Sequence, residues 1–272
     1  MTGRHVARMT DRVDFSHNAP VYDRRHGAFV GPDVAGKLAR LAGLESDSRV
    51  LDVGAGTGRV AIPLANHCRI IGIDVAHSML TTFRGKACQP QQIPVMVADA
   101  MHLPFSGRRF DAVVLARMLY LLPFWRDTLA ESLRVLKPAG CVLHEWGNGE
   151  PHEEWVQIRE MARVLFEEAG VSNPFHLGVR NEVDVDRFLC DHGLMLQAKI
   201  EFEADVRMTL ADFLERIGNG ECSYTWNLSP DVLRTCVPKL VDWARTHFDL
   251  NHVIASPMVW KIYRRQPESV AT

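Results

Sequence analysis

Short apolar runs alternate with helical stretches through the first 150 residues of the chain. Segments in which apolar residues recur at helical spacing separate the runs. The runs predict five strands, at Arg49–Val53, Arg69–Asp74, Val95–Ala98, Asp111–Ala116 and Cys141–Trp146. A helix at about 32–43 precedes them. This order of elements is typical of a parallel sheet that is covered by helices on both faces.

The period of the pattern changes at Leu196, after which apolar and polar residues alternate as far as Arg207. Such a strand has one face in water, which favours an antiparallel edge strand added to a parallel sheet. We predict that its partner is Pro257–Arg264, where every second residue is apolar and the proline stands harmlessly at the strand start.

About 50 residues separate these two strands, which is too many for a hairpin loop. Thr209 and Asp212 have the spacing of a capping box at the start of one helix, and Ser229-Pro230 is typical of the start of a second. We therefore expect a helical lid, residues 207–255, inserted between the last two strands.

Composition and charge limit what the protein binds. The chain has 272 residues, of which 47% are hydrophobic, and a formal net charge of −2. This balance is that of a globular protein without the bulk charge that attracts nucleic acid. We expect a small-molecule partner, no nucleic acid and no membrane insertion. The six cysteines include no C-x-x-C pair, which indicates neither a metal site nor disulfides and favours a cytoplasmic protein.

The most specific chemistry lies in the glycine-rich turn after the first strand, Asp52-Val53-Gly54-Ala55-Gly56-Thr57-Gly58-Arg59. Glycines let a ligand approach the backbone closely, and N–H groups at such a turn face the ligand. A dinucleotide site needs glycine at the sixth position of G-x-G-x-x-G, where this chain has Arg59. The carboxylate of Asp52 would also repel a pyrophosphate but attract an amino group.

The segment Asp52–Gly58 resembles motif I of the class I S-adenosylmethionine (SAM)-dependent methyltransferases, acidic-x-G-x-G-x-G. Asp74, 22 residues after Asp52, matches the acid that binds the ribose in that family, and Asp99 matches the acid near the adenine. The resemblance covers about residues 45–146 and is nearest to the ubiquinone and menaquinone biosynthesis branch. The chain lacks that branch's tail signature, so the acceptor is not implied.

The resemblance implies a Rossmann-like fold, α/β, with a seven-stranded mostly parallel sheet, an antiparallel edge strand and a helical lid between the last two strands. It implies four regions: an N-terminal arm at 1–30 that closes over the cofactor, a SAM-binding core at 31–206 and 256–265, the lid at 207–255 and a tail at 266–272. The expected cofactor-binding residues are Tyr22, Asp52, Gly54, Ala55, Gly56, Asp74, Val75, Met79, Asp99, Ala100, Met101 and Ala116.

Candidates for the acceptor pocket follow the fourth and fifth strands, because ligands bind at the carboxyl ends of strands in open sheets. They are Arg117, His144, Glu145 and Trp146. His144 or Glu145 could act as a base toward an acceptor hydroxyl, and Arg117 could orient an anionic acceptor. The catalytic residue itself is not identified, and neither is the oligomeric state.

The expected function is transfer of a methyl group from SAM to a small-molecule acceptor, leaving S-adenosylhomocysteine (SAH). Two alternatives stay open. A non-catalytic SAM-binding module would show the same cofactor residues, although the lid disfavours it. A nucleotide-dependent enzyme on the same fold would need loops compatible with phosphate, and Asp52 argues against them.

Overall fold

The computed structural model describes residues 22–23, 30–87, 93–148, 152–172 and 178–265. The strands are β1 Arg49–Val53, β2 Arg69–Asp74, β3 Val95–Val97, β4 Phe110–Ala116, β5 Leu136–Asn148, β6 Leu194–Thr209 and β7 Val253–Arg265. The helices are α1 Pro32–Leu41, α2 Ala61–Leu64, α3 His77–Lys86, α4 Trp125–Val135, α5 Glu153–Glu168, α6 Glu182–Asp191, α7 Leu210–Gly218 and α8 Pro230–His247. Short 3-10 turns occur at Leu119–Leu121 and Ser223–Thr225.

All seven strands form one sheet in the order β3-β2-β1-β4-β5-β7-β6. Strands β1 to β5 pair in parallel, whereas β7 is antiparallel to both of its neighbours. The chain leaves β1 toward β2 on one side and returns to β4 on the other, so the strand order reverses between β1 and β4. Ligands of open α/β sheets bind at the carboxyl ends of the strands at such a point.

The predicted fold class is confirmed: the sheet has seven strands, is mostly parallel and contains one antiparallel strand. The structure adds that the antiparallel strand is β7, one place in from the edge, while β6 forms the edge itself. The start of β5 differs from the prediction, since the strand begins at Leu136 rather than Cys141. The apolar pattern does not reveal that first part, because it contains Lys137 and Pro138 and pairs with β4 in an irregular register near Phe110.

The two faces of the sheet carry separate hydrophobic clusters. One face packs on α1, α2 and α3 through residues such as Leu38, Leu64 and Phe83. The other packs on α4 and α6 through residues such as Leu129 and Leu189. Successive residues of β1 alternate between the clusters, as the pleat of a strand requires. Helices therefore cover both faces, as the sequence predicts.

The insertion between β6 and β7 has a hydrophobic cluster of its own. Helices α7 and α8 pack there with α5, through buried residues that include Ile158, Phe213 and Leu240. The predicted capping box at Thr209 and Asp212 is present, and Ser229 caps α8 with Pro230 in its first turn. Strands β6 and β7 stay paired beyond the end of β5, from Val206 opposite Ser256 to Thr209 opposite Val253. This two-stranded ribbon carries the insertion.

Several predictions fall on parts of the chain that the structure does not describe. Of the arm at 1–30, only Tyr22, Asp23 and Val30 are described, and the tail at 266–272 lies outside entirely. Within the described ranges, no helix is long and apolar enough to cross a membrane. In the same ranges, no group of three or more His, Cys, Asp or Glu side chains is placed to hold a metal ion.

Candidate functional site

A cavity opens at the carboxyl ends of β1, β2 and β4, where the strand order reverses. Its wall includes the glycine-rich turn at Gly54 and Gly56, the ends of β2 and β3 at Asp74 and Asp99, and Arg117 after β4. These segments are far apart in the sequence. The parallel sheet brings them together because their strands end at the same edge.

The glycine-rich turn has a backbone that only glycine adopts easily. Gly54, Gly56 and Gly58 have φ values of +70°, +54° and +89°. A Cβ on Gly58 would also lie 2.7 Å from the Ile62 side chain, so the third glycine is needed for packing against α2. The N–H of Ala55 donates to the carbonyl of Ile73, which fastens the turn to β2.

Asp74 links the turn to the end of β2. One carboxylate oxygen accepts from the N–H of Gly56 at 2.9 Å, and the other accepts from the N–H of Ala76 at 2.8 Å. Burial raises the pKa of this carboxyl, although both backbone donors favour its charged form. Each oxygen keeps a second lone pair, so the same carboxylate can accept from a ligand hydroxyl.

Asp99 lines the cavity after β3, the strand that pairs with β2. Its Oδ1 accepts from the N–H of Met101 at 3.0 Å, and its backbone carbonyl accepts from the N–H of His102. This local turn fixes the carboxylate beside Ala100 and Met101, all of which line the cavity. Val75, at the end of β2, adds an apolar part of the wall and is 52% exposed.

Asp52 lies beneath the turn and does not line the cavity. Its side chain is buried and accepts from the N–H of Ala61, the first residue of α2, where a negative charge is favourable. Burial raises the pKa of Asp52 to about 7; Arg59 lowers it and Asp74 raises it further. Its expected contact with an amino group of the cofactor stays a prediction.

Glu145 bridges two arginines at the end of β5. Its Oε1 accepts from Nε of Arg117 at 2.7 Å, and its Oε2 accepts from the guanidinium of Arg59. The Glu145 side chain is fully buried, and both arginine side chains are 8% exposed. Both oxygens of this carboxylate are thus engaged by hydrogen bonds from guanidinium groups. Its arrangement therefore suits positioning better than the base role considered from the sequence.

Tyr22 closes one side of the cavity. It packs on Ala76 and Met79 and makes an edge-to-face contact with Trp226 of the insertion at 6.5 Å between ring centroids. Burial raises the pKa of its hydroxyl, while Arg59 and Arg117 lower it. The next residue, Asp23, forms an ion pair with Lys86 at the end of α3. This part of the arm is thus held against the core and the insertion together.

His144 and Trp146 face the other side of the sheet from Glu145. His144 is buried, and burial, followed by the charge of Lys261, lowers its pKa to about 4. The imidazole is therefore neutral at pH 7. Its ring lies 6.3 Å from Trp146, which contacts Tyr120 at 6.0 Å. Neither His144 nor Trp146 lines the cavity, and their role with an acceptor stays a prediction.

Most of the expected site residues meet at this one cavity. Those that line it are Tyr22, Gly54, Gly56, Asp74, Val75, Met79, Asp99, Ala100, Met101, Ala116 and Arg117. Asp52, Ala55, His144, Glu145 and Trp146 do not. Other lining residues were not predicted, namely Ile73, Ala98, Met118, Leu121, Leu122, Pro123, Phe124 and Thr128. Most of these follow β4, and their position after a parallel strand is the signal that could have identified them.

The fold and the cavity define an α/β protein built like the class I methyltransferases. Residues 50–140 match a family model described as Methyltransferase domain, which covers about a third of the chain. The resemblance stated from motif I is thereby confirmed.

Two relatives are similar to part of the chain. Demethylmenaquinone methyltransferase of Staphylococcus saprophyticus is 35% identical over 111 residues, which are 39% of this chain and 48% of that protein. The Bacillus cereus protein of the same name is 30% identical over 142 residues, which are 50% of this chain and 57% of that protein. The match thus spans about half the length of these relatives.

Solved structures share the fold over most of the chain at low identity. A Bacillus halodurans protein that is provisionally named a methyltransferase has a TM-score of 0.62 at 19% identity, over 86% of this chain and 100% of its own. Phospholethanolamine N-methyltransferase 2 of Haemonchus contortus, solved with SAH, has a TM-score of 0.55 at 17% identity, over 93% of this chain and 58% of its own. The [4+2]-cyclase SpnF has a TM-score of 0.58 at 16% identity, over 92% of this chain and 94% of its own.

Proposed function

We propose that the protein is a SAM-dependent methyltransferase that acts on a small-molecule acceptor. The observation that carries the proposal is the cavity itself. It joins a glycine-rich turn to two carboxylates, Asp74 and Asp99, at the point where the strand order reverses. The names of the relatives and of the matching family agree with this function.

The cavity fits an adenosine-bearing ligand. Gly54 and Gly56 let such a ligand lie against the backbone, because neither has a side chain at its positive φ. Apolar side chains such as Ile73 and Met118 supply the surface that an aromatic base packs on. The fully buried hydroxyl of Thr128 also lines the wall, and the described residues offer it no hydrogen-bond partner. A polar atom of a ligand could satisfy it.

The residues divide the ligand between two ends. Asp74, fixed by Gly56 and Ala76, would accept from the ribose hydroxyls, and Asp99 would accept from the adenine amino group. Arg117 follows β4, two strands away from β2, and the methionine part would lie toward it, with Tyr22 covering the ligand between them. Asp52 would support the site indirectly, by holding the start of α2 and the glycine-rich turn above it.

The chemistry of methyl transfer makes few demands on the protein. Bound SAM would supply a methyl group on a cationic sulfur. A lone pair on the acceptor would form the bond to the methyl carbon, the carbon–sulfur electrons would leave on the sulfur of SAH, and an acceptor X–H group would lose its proton. The chain's own task is to orient the acceptor and exclude water, which can contribute about 7–11 kcal/mol. Among the described residues that line the cavity, none carries an imidazole or an amine that could take a proton from the acceptor. An acceptor whose own proton is acidic therefore suits the site.

The arm and the insertion would form the cover of the acceptor site. Tyr22 of the arm touches Trp226 of the insertion, and Arg159 on α5 lies over the ring of Tyr224 at 5.3 Å. These contacts join three segments above the carboxyl end of the sheet. We propose that residues 207–255 act as a lid whose removal would expose the reacting atoms to water.

The proposal is tested by calorimetry with SAM, SAH and NAD, followed by an assay of radiolabelled methyl transfer to a panel of small acidic acceptors. We expect SAM and SAH to bind with micromolar affinity and NAD not to bind, because Arg59 stands where a dinucleotide site needs glycine. Binding of NAD in preference to SAH would reject the proposal. Binding of SAM without transfer to any acceptor would favour the alternative, a non-catalytic SAM-binding module.

A further inference from the structure

Arg117 has a backbone conformation that an arginine rarely adopts. Its φ is +54°, in the left-handed region, and Arg108 is the other non-glycine residue with positive φ in the described part of the chain. Arg108 lies in an exposed loop, whereas Arg117 is 9% exposed and lines the cavity. Non-glycine residues keep such a conformation only where their surroundings determine it, often at ligand sites.

Glu145 determines the position of Arg117 twice. The backbone N–H of Arg117 donates to the carbonyl of Glu145 at 2.8 Å, and the side-chain Nε donates to Oε1 of the same residue at 2.7 Å. The other oxygen of Glu145 binds Arg59, which follows the glycine-rich turn. One buried carboxylate thus fixes two guanidinium groups, of which that of Arg117 lines the cavity.

The charges of the cavity are separated by position. Asp74 and Asp99 lie at the ends of β2 and β3, whereas Arg117 follows β4, two strands away from β2. Burial raises the pKa of Tyr22, the nearness of Arg59 and Arg117 lowers it, and Asp74 and Glu145 raise it, so Tyr22 lies within reach of both groups of charges. A fixed, planar guanidinium matches the geometry of a carboxylate.

We infer that Arg117 is the anion-binding residue of this cavity, held in place by Glu145 as a positioning residue, and that it binds a carboxylate. The inference rests on the proposed function and names the chemistry of one part of its ligand. Two sources carry such a group: the amino-acid end of the cofactor and an anionic acceptor. An experiment with ligands that differ in this one group separates them.

The test compares the wild type with Arg117→Met, Glu145→Gln and the matched control Arg108→Met. The probes are SAH and 5′-methylthioadenosine, an adenosine thioether that lacks the amino-acid end. Sodium benzoate, a planar carboxylate, is the third probe and is added to protein saturated with SAH. Calorimetry gives the two affinities, and the melting temperature reports stabilisation by benzoate.

Two results support the inference. If the cofactor supplies the carboxylate, Arg117→Met weakens SAH at least tenfold and methylthioadenosine less than twofold. If the acceptor supplies it, SAH affinity is kept, and millimolar benzoate raises the melting temperature of the wild type but not of Arg117→Met. In either case Glu145→Gln shows the same selective loss to a smaller extent, and Arg108→Met shows none.

Equal weakening of SAH and methylthioadenosine would overturn the inference, because it would show a purely structural role for Arg117. No change with any probe would overturn it as well. A wild type that binds neither SAH nor methylthioadenosine would reject the proposed function instead. Benzoate would then be tested on the protein alone, where loss of its effect in Arg117→Met would still support an anion site.

Discussion

Asp52 and Asp74 belong to the same sequence pattern but do different work. The sequence predicts that both lie near the glycine-rich turn, because Asp52 is the penultimate residue of one buried strand and Asp74 ends another. It does not predict which carboxylate faces the cavity, since that depends on partners elsewhere in the chain. Asp74 is held in the wall by Gly56 and Ala76. Asp52 is held below it by the start of α2.

The raised pKa of Asp52 predicts a pH-dependent stability. Its folded-state pKa of about 7 exceeds the ordinary value of 3.8, so between these pH values the unfolded chain loses the proton more readily than the folded protein. The contribution of Asp52 is therefore fully present in acid and is lost as the pH rises through 7. Asp52→Asn cannot ionise, and we expect its stability relative to the wild type to rise by at most about 4 kcal/mol from pH 4 to 8.

Urea unfolding at several pH values measures this difference, with Asp111→Asn as the control. Partial burial raises the pKa of Asp111, but hydrogen bonds from Lys137 and the N–H of Arg49 outweigh it, and the pKa is lowered. Its contribution is present at neutral pH and lost in acid, which is the opposite slope. A stability difference for Asp52→Asn that stays constant from pH 4 to 8 would contradict the account.

Among the elements, periodicity predicts the strands and most helix ends, because burial and capping are local properties of the sequence. Thr209 and Ser229 cap α7 and α8 as expected. The direction of β7 relative to β5 and the early start of β5 depend on pairing between distant segments, which no local pattern contains. The loop after β4 was missed for a similar reason, since apolar residues such as Leu121 and Phe124 are as typical of a core as of a cavity wall.

The insertion offers a prediction at the level of elements. Trp226 contacts Tyr22, so Trp226→Ala should loosen the closure over the cavity and speed the dissociation of SAH several-fold. Trp243→Ala is the matched control, because Trp243 stacks on His247 within α8 at 4.4 Å. Stopped-flow measurement of SAH dissociation distinguishes the two. Equal dissociation rates for both variants would show that the contact with Tyr22 does not govern closure.

The whole molecule combines a sheet with two hydrophobic faces and an insertion with a third cluster. Because the insertion packs chiefly on α5, it can change its packing with little effect on the core that supports the glycine-rich turn. The cavity lies on the core side of the contact between the insertion and α5. Its wall is formed largely at the ends of β1, β2, β3 and β4. Under the proposed function, a site assembled in this way would separate cofactor binding, supported by the core, from acceptor binding, supported by the cover.

The central claim is that Asp74 and Asp99, at the ends of the neighbouring strands β2 and β3, hold the adenosine of one ligand in the cavity. A crystal structure of the complex with SAH tests it most directly. We expect the ribose hydroxyls within hydrogen-bond distance of the Asp74 carboxylate and the adenine amino group within that distance of Asp99. Electron density for SAH elsewhere on the protein, or in this cavity with either carboxylate turned away from it, would contradict the account.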